Sequence, residues 1–216
     1  MAMQTITRQA VKIEKEDGIS WLYMNRPEKR NAMSPTLHRE MAEAIDELAT
    51  DDETRVMVIT GAGKAFCAGQ DIALNFRARE TNTQAENRRN RQNSATWRWD
   101  KIATFPKPTI AMVNGFCFGG AFTQLCACDY AIAADDAVFG LSEVNWGILP
   151  GGIVSWNVVQ VMNYRDALYY ATTGDTFDGK RAQQMGVVNF SFPLEQIREE
   201  TVRLAKSISQ GMMGTR

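Results

Sequence analysis

Short apolar segments alternate with longer amphipathic segments along the chain, and this order predicts an α/β protein. The first two apolar segments flank the polar stretch Lys15–Gly18, whose Asp-Gly pair is typical of a tight hairpin turn. Further runs rich in β-branched residues are short enough to be strands. The predicted strands are Val11–Glu14, Ile19–Met24, Val56–Thr60, Thr109–Val113, Tyr130–Ala134 and Val187–Phe192.

The first amphipathic segment has both a start signal and an apolar face. Ser34 and Pro35 can serve as the cap and the first residue of a helix. Met41, Ile45 and Leu48 then recur at the spacing of one helical face. A helix is therefore predicted from Pro35 to about Leu48.

A polar region between residues 83 and 103 predicts a charged helix with Trp97, Trp99 and Ile102 on one side. Two other polar stretches, Asn25–Asn31 and Lys64–Asp71, predict loops. The remaining predicted helices are Gly119–Cys128, Ile153–Met162, Tyr164–Thr173, Gly179–Met185 and Leu194–Ser209. Strand–strand–helix units therefore repeat, which favours a spiral α/β stack in a single domain over residues 1–216.

Composition narrows the possible function classes. The chain has 216 residues, 44% of them apolar and 23% charged, which is ordinary for a globular protein. Its formal net charge of −1 does not favour a nucleic-acid-binding surface. The sequence contains no apolar run of the roughly 18 residues that a membrane span needs, and its start lacks the apolar stretch of a signal peptide. A cytoplasmic protein without membrane or nucleic-acid partners is the expectation.

Cysteine and histidine usage argues against metal or disulfide chemistry. The four cysteines form no CxxC pair, so buried free thiols are predicted. A zinc site or a histidine-based triad would depend on the single histidine, His38. His38 lies near the start of the first predicted helix, where a solvated side chain is expected. No metal and no redox cofactor are predicted.

The segment with the most chemical content joins a buried strand to a helix through glycines. Gly119 and Gly120 follow the apolar run Thr109–Val113 and precede a helix. Backbone N–H groups at a helix start are unpaired and lie at the positive end of its dipole, so they can bind a negative oxygen. A tight turn that serves packing alone is the alternative. Glu143 follows in an apolar setting that should raise its pKa and suit proton transfer.

Several short motifs together resemble the crotonase (enoyl-CoA hydratase/isomerase) superfamily. They occur in the family order over most of the chain. The motifs are Asn25-Arg26-Pro27, Asn31-Ala32, Ala68-Gly69-Gln70-Asp71, Asn114-Gly115, Gly119-Gly120, Cys128-Asp129 and Ser142-Glu143. The resemblance implies a crotonase-like ββα spiral and an oxyanion hole made by the amides of Gln70 and Gly120. It also implies an acyl-CoA substrate, so that coenzyme A is part of the substrate and no separate cofactor is needed.

Within that superfamily, the sequence is most similar to the hydroxycinnamoyl-CoA hydratase-lyases. Ordinary hydratases use two glutamates, and Thr123 stands where they carry the first, whereas Glu143 matches the second. The resemblance implies hydration and cleavage of feruloyl-, caffeoyl- or p-coumaroyl-CoA, with Glu143 as the acid–base group and Thr123 orienting water or the β-hydroxyl. The substrate-binding positions implied are Lys29, Ala68, Gly69, Gln70, Asp71, Ile72, Ala73, Asn75, Gly120, Ala121, Phe122, Ser142, Trp146 and Gly151.

Three departures from that pattern leave alternatives open. Gln70 replaces a methionine, and Asn75 replaces a phenol-binding tyrosine. Relatives also continue past this C-terminus with helices that cover the site and build trimers, so an incomplete C-terminus and uncertain self-association are expected. The chain is accordingly interpreted as a hydratase-lyase, as a hydratase, isomerase or thioesterase for another acyl-CoA, or as an inactive CoA-binding protein.

Overall fold

A computed structural model describes residues 3–75, 77, 81–151 and 153–213 of the chain. The strands are β1 Gln4–Thr7, β2 Val11–Glu16, β3 Ile19–Met24, β4 Val56–Gly61, β5 Ala65–Cys67, β6 Thr109–Val113, β7 Phe116–Phe118, β8 Tyr130–Ala134, β9 Phe139–Gly140, β10 Thr176–Phe177 and β11 Phe190–Phe192. The α-helices are α1 Pro35–Thr50, α2 Ile72–Asn75, α3 Gln84–Ala95, α4 Ala121–Ala127, α5 Val154–Val161, α6 Tyr164–Thr173, α7 Gly179–Met185 and α8 Ile197–Met213.

Three further segments have other helical geometry. Pro27–Lys29 and Ser142–Trp146 are 3₁₀ turns, and Thr96–Lys101 continues α3 as a π-helical segment. Within the described residues, no helix combines the length and the apolar character needed to cross a membrane.

Two sheets organise the fold. The larger has seven strands in the order β1-β2-β3-β4-β6-β8-β11, and it is parallel from β3 onward. The smaller has four strands in the order β10-β9-β7-β5, with β5, β7 and β9 parallel. Because β4–β5, β6–β7 and β8–β9 are consecutive pairs, each pair contributes one strand to each sheet. The α/β class and the repeating strand–strand–helix units predicted from the sequence are confirmed.

Local sequence signals account for many element boundaries. The hairpin between β2 and β3 turns at Asp17 and Gly18, which both have positive φ as an Asp-Gly turn requires. The Ser34 side chain accepts a hydrogen bond from the Leu37 amide and caps α1, whose first residue is Pro35. Helices α6 and α7 have the predicted bounds.

The sequence interpretation missed several short strands. Residues 65–67 lie in the stretch predicted as a loop, yet they form β5, a fully buried strand beside β7. Strands β1, β7, β9 and β10 also went unpredicted. The strands of the smaller sheet have only two or three residues each. Segments this short carry no measurable hydrophobic period, and pairing with distant segments is what makes them strands.

Candidate functional site

A cavity of about 560 Å³ opens where the N-terminus of α4, the start of α2, the 3₁₀ turn at residues 142–146 and α3 meet. Most of the positions that the sequence placed in a binding site are part of its wall. The described lining residues are Ala68, Gly69, Gln70, Ile72, Leu74, Asn75, Asn82, Asn87, Asn90, Arg91, Ser94, Ala95, Arg98, Gly119, Gly120, Ser142, Glu143, Trp146, Ile148, Leu149 and Gly151. A cavity of this size is typical of a small-molecule site.

Two backbone segments cross at the centre of the cavity wall. Met33 donates its amide hydrogen to the Gly69 carbonyl (2.8 Å) and accepts one from the Asp71 amide (3.0 Å). The N–H of a trans peptide points opposite to its carbonyl, and the Gly69 carbonyl faces Met33, so the Gln70 amide points away from Met33. A Cβ atom on Gly69 would lie 3.8 Å from the Gly120 nitrogen, so the two segments are in contact.

The amides of Gln70 and Gly120 have no acceptor among the residues that the structure describes. Among the backbone hydrogen bonds of the described residues, neither amide is a donor. Unpaired N–H groups in a folded protein need a partner from solvent or ligand. Both residues line the cavity, so a bound molecule can supply that acceptor.

Glu143 lies against the glycine turn. Gly119 has a φ of +53°, and a Cβ atom there would stand only 2.9 Å from the Glu143 Oε1 atom. The Oε2 atom is buried with no hydrogen-bond partner among the described residues. This burial raises the pKa of Glu143, as the sequence predicted, because the charged form loses water.

The source of that burial differs from the expectation for one residue. Trp146 is one of the apolar neighbours of Glu143 in the sequence, but it is 71% exposed at the cavity rim. Leu141 is fully buried and the glycine turn covers one oxygen of the carboxyl group. The carboxyl group therefore lies against the glycine turn, a contact that the sequence pattern does not reveal.

His38 is not the solvated residue that the sequence suggested. Its side chain is fully buried and accepts a hydrogen bond at Nδ1 from the Trp97 indole N–H (2.9 Å). An indole only donates, so the proton of His38 is on Nε2, which donates to Gln70 Oε1 at 3.1 Å. Burial lowers the pKa of His38 to about 3 and keeps the ring neutral. The prediction failed because Trp97 and Gln70 are distant in sequence.

This chain of hydrogen bonds fixes the side chain of a cavity residue. The same Gln70 Oε1 atom accepts from Asn75 Nδ2 (2.8 Å), and that amide also donates to the Met33 carbonyl. Asn75, expected to meet the substrate, thus uses its donor within the protein.

The other predicted positions fall into two groups. Ile72, Ser142 and Gly151 line the cavity, as do Ala68 and Gly69. A second set lies outside the described lining. Of these, Ala121, Phe122 and Thr123 are buried in α4, Asp71 pairs with Arg26 (3.0 Å), and Ala73 and Lys29 are exposed.

Thr123 is the predicted catalytic position that the structure does not bring to the cavity wall. Its hydroxyl oxygen is buried and has no hydrogen-bond partner among the described residues. A buried hydroxyl without a partner costs free energy, so it is a position where a ligand or water would be favourable.

The sequence interpretation missed one wall of the cavity completely. Polar residues of α3 and its π-helical continuation line it, and their spacing places them on one helical face. They are Asn87, Asn90, Arg91, Ser94 and Arg98. This polar stripe was visible in the sequence as a repeat at helical spacing, but a polar stripe is ordinary for a solvent-facing helix. The described residues contain no group of three or more metal-ligating side chains.

Comparison with known proteins assigns the family. The family model described as enoyl-CoA hydratase/isomerase matches residues 14–213. The chain belongs to the enoyl-CoA hydratase/isomerase family. Its enzymes act on CoA thioesters, so this protein is an enzyme of that class, and the crotonase-like fold expected from the sequence is confirmed.

Individual relatives agree with this family assignment. The chain is 50% identical over 200 residues to the hydroxycinnamoyl-CoA hydratase-lyase of Pseudomonas fluorescens, covering 93% of this chain and 72% of that protein. The enoyl-CoA hydratase of Bacillus anthracis superposes with a TM-score of 0.83 at 28% identity, over 93% of this chain and 77% of that one. That of Mycobacterium smegmatis gives 0.84 at 25% identity, over 94% and 77%.

Proposed function

We propose that the protein hydrates the double bond of a hydroxycinnamoyl-CoA and then cleaves the product to an aromatic aldehyde and acetyl-CoA. Feruloyl-, caffeoyl- and p-coumaroyl-CoA are the substrates considered, and vanillin is the aldehyde expected from the first. The observation that carries the proposal is Glu143, the one carboxyl group among the described lining residues. It lies against the glycine turn of a cavity where the amides of Gln70 and Gly120 have no acceptor among the described residues.

The thioester oxygen is proposed to bind to the amides of Gln70 and Gly120. Both steps of the reaction build negative charge on this oxygen, because both pass through an enolate. Fixed donors that face such an oxygen stabilise it more than water does, by about 3 kcal/mol for one donor. The Gln70 backbone is well suited to this role because its neighbours are held by Met33 and its side chain by His38.

In the first step, Glu143 as carboxylate removes a proton from a water molecule that attacks the β-carbon. The electrons of the double bond move toward the thioester and form an enolate. The proton on Glu143 is then delivered to the α-carbon, which leaves a β-hydroxyacyl-CoA. Because burial raises the pKa of Glu143, the carboxylate is a stronger base than an exposed glutamate.

In the second step, Glu143 removes the proton of the β-hydroxyl group. The carbonyl of the aldehyde forms as the bond between the α- and β-carbons breaks, and the electrons of that bond produce the acetyl-CoA enolate. Protonation of this enolate at carbon gives acetyl-CoA. The sum is one acyl-CoA and one water giving one aldehyde and one acetyl-CoA.

Two observations favour the lyase over an ordinary hydratase. Glu143 is the only carboxylic acid among the described lining residues of the cavity, whereas Thr123 stands where the family resemblance implies the first glutamate of a hydratase. The second observation is the 50% identity to the hydroxycinnamoyl-CoA hydratase-lyase of Pseudomonas fluorescens.

The proposal includes the molecular setting expected from the sequence. Coenzyme A enters as part of the substrate, and the chemistry above needs no further cofactor. Cytoplasmic location and self-association remain part of the proposal, as do Lys29, Ser142 and Trp146 as contacts of the CoA moiety.

Incubating the purified protein with feruloyl-CoA tests this function. Equal amounts of vanillin and acetyl-CoA are expected, with turnover reduced about 10²- to 10⁴-fold in Glu143→Gln, since a general acid–base group contributes that much. Unchanged turnover in Glu143→Gln would show that Glu143 is not the acid–base group. Hydration of feruloyl-CoA without cleavage would contradict the lyase assignment.

A second candidate is hydration or isomerisation of another acyl-CoA on the same scaffold. The observation that favours it is the internal use of Asn75, which binds Gln70 and the Met33 carbonyl instead of offering its amide to a phenol. Turnover of an aliphatic enoyl-CoA with no reaction of feruloyl-CoA would support it. Binding of CoA esters without turnover of any would support the inactive CoA-binding protein.

A further inference from the structure

Arg98 brings a positive charge to the glycine turn. It lies in the π-helical segment Thr96–Lys101 and lines the cavity. A Cβ atom on Gly120 would be 3.3 Å from its Nη1 atom, so the guanidinium reaches the residue whose amide is proposed to bind the thioester. The arginine therefore sits beside the reacting end of any bound acyl-CoA.

This guanidinium has no negative partner in the described part of the chain. Its Nε group donates to the Ser94 carbonyl at 2.8 Å. None of the ion pairs between described residues includes Arg98, and its terminal nitrogens make no hydrogen bond to those residues. Burial lowers the pKa of Arg98, but a guanidinium remains charged at neutral pH. An uncompensated, partly buried charge is costly, and an anionic ligand would relieve that cost.

The surroundings of Arg98 suit a negatively charged oxygen. Arg91 lies seven residues earlier on the same helical face and is exposed at the rim, so Arg98 is the cation of this face that reaches the glycine turn. Glu143 is the only acid in the described lining, and it lies against Gly119, whereas Arg98 reaches Gly120. Asn75 does not compete for a ligand here because Gln70 and Met33 already occupy its donor.

We infer that Arg98 forms a subsite for an anionic oxygen carried by the acyl group of the CoA substrate. Two acyl groups supply such an oxygen: one that ends in a carboxylate and one that carries an ionised phenol. The guanidinium fork matches a carboxylate with two parallel hydrogen bonds and can also pair with a phenolate. The inference rests on the proposed function only for placing the thioester oxygen at Gly120.

The position of Arg98 indicates that the oxygen it binds belongs to the acyl group and not to the CoA phosphates. The contact with the Cβ position of Gly120 places Nη1 within roughly 9 Å of an oxygen bound to the Gly120 amide. An extended pantetheine arm separates the phosphates from the thioester by more than this distance. The acyl group starts at the thioester, so its substituents are the ones within reach.

Binding of saturated acyl-CoA ligands tests whether the anionic oxygen belongs to a carboxylate, and it requires no turnover. Glutaryl-CoA and pentanoyl-CoA have acyl chains of equal length and differ in the terminal carboxylate. In calorimetry we expect the protein to bind glutaryl-CoA at least about tenfold more tightly than pentanoyl-CoA, because a hydrogen bond to a charged group contributes that much. Arg98→Gln should abolish this preference, and Arg98→Lys should retain part of it. Arg91→Gln is the matched control, because it removes a rim charge from the same helical face, and it should keep the preference.

A spectroscopic measurement tests whether the anionic oxygen is a phenolate. p-Coumaroyl-CoA bound to Glu143→Gln, which slows turnover enough to observe the complex at short times, should absorb at longer wavelength if its phenol is ionised, because a phenolate conjugates with the thioester. The shift should be lost in the double variant Glu143→Gln/Arg98→Gln. An Arg98-dependent effect in either arm supports the subsite and identifies its ligand. The absence of Arg98 dependence in both arms overturns it, whether or not feruloyl-CoA is cleaved.

Discussion

Glu143 and His38 show how burial acts on single ionisable residues of this enzyme. Burial raises the pKa of the acid and lowers that of the base, since it disfavours the charged form of both. For Glu143 the consequence is chemical, because a carboxylate with a raised pKa is a better base. For His38 the consequence is structural, because a neutral ring with a fixed proton holds Gln70 in one orientation.

The raised pKa of Glu143 sets the acid limb of the rate profile. The mechanism needs the carboxylate, so kcat/KM should rise with pH through a pKa above the ordinary glutamate value of 4.5. The measurement is kcat/KM for feruloyl-CoA as a function of pH, with circular dichroism at each pH to confirm that the fold persists. An acid limb centred at or below 4.5 would contradict the assignment.

His38 should make stability depend on pH in a way that its replacement removes. The folded pKa is about 3 and the ordinary value is 6.5, so only the unfolded state binds the proton between these pH values. The unfolding free energy should therefore fall by about 1.4 kcal/mol for each pH unit below 6.5 and should gain nothing from this residue above it. Urea unfolding of the wild type and His38→Asn measures this.

Because the chain has no other histidine, comparing the wild type with His38→Asn isolates the effect of this one residue. The difference in unfolding free energy between wild type and His38→Asn should shrink as the pH is lowered from 6.5 toward 3. A constant difference over that interval would show that His38 is not held neutral in the folded state.

At the scale of elements, the turn between β7 and α4 decides where the acid stands. Gly119 adopts a positive φ and leaves no room for a side chain beside Glu143. On the other side of the cavity, α3 continues as a π-helical segment, which brings Arg98 to the same turn. Single π-helical turns are often found at functional sites.

Gly119→Ala should reduce activity far more than it reduces stability. The new methyl group would lie 2.9 Å from Glu143 Oε1 and would displace the carboxyl group, for which a loss of about hundredfold in kcat is expected. Gly147→Ala is the matched control, because Gly147 also has a positive φ but has no atom within 4 Å of the added Cβ. Both variants carry a backbone strain of about 1–2 kcal/mol.

Kinetics and urea unfolding of the two variants separate displacement from strain. We expect Gly119→Ala and Gly147→Ala to lose similar amounts of stability, and only Gly119→Ala to lose kcat. Equal losses of kcat in both would show that backbone strain, and not the position of Glu143, limits the reaction.

At the scale of the whole molecule, one apolar face stands out. Helix α6 packs against both α5 and the 3₁₀ turn at residues 142–146. Together with the loop between them they expose large apolar side chains. These are Trp146, Ile148, Leu149, Ile153, Trp156, Val159, Tyr164, Leu168 and Tyr169. Exposed apolar patches of this kind are typical of interaction surfaces or of aggregation-prone ones.

This face should drive self-association of the chain. Light scattering should show an apparent mass that rises with protein concentration, and Val159→Glu/Leu168→Glu should move that rise to higher concentration by adding charge to the face. Leu194→Glu, an exposed apolar residue outside the face, is the control and should leave the rise unchanged. Association that is equal in all three proteins would show that another surface is responsible.

The sequence anticipated the features that depend on neighbouring residues. The turn at Asp17 and Gly18, the cap at Ser34 and the bounds of α6 follow from local geometry and are confirmed. The prediction for His38 was wrong, and β5 was missed, because their environments come from segments far away in the chain. The helix start after the glycines and the apolar setting of Glu143 indicated the chemistry of this segment, and the family motifs supported it.

The sequence by itself therefore determined the α/β class, the family and the acid that the cavity would contain. Tertiary structure alone decided which polar groups meet there. Arg98 and Glu143 approach successive glycines of one turn, although 45 residues separate them in the sequence. The physical reason is that periodicity and turn chemistry act within a few residues, whereas burial, the loss of hydration and the pairing of charges depend on packing between distant segments.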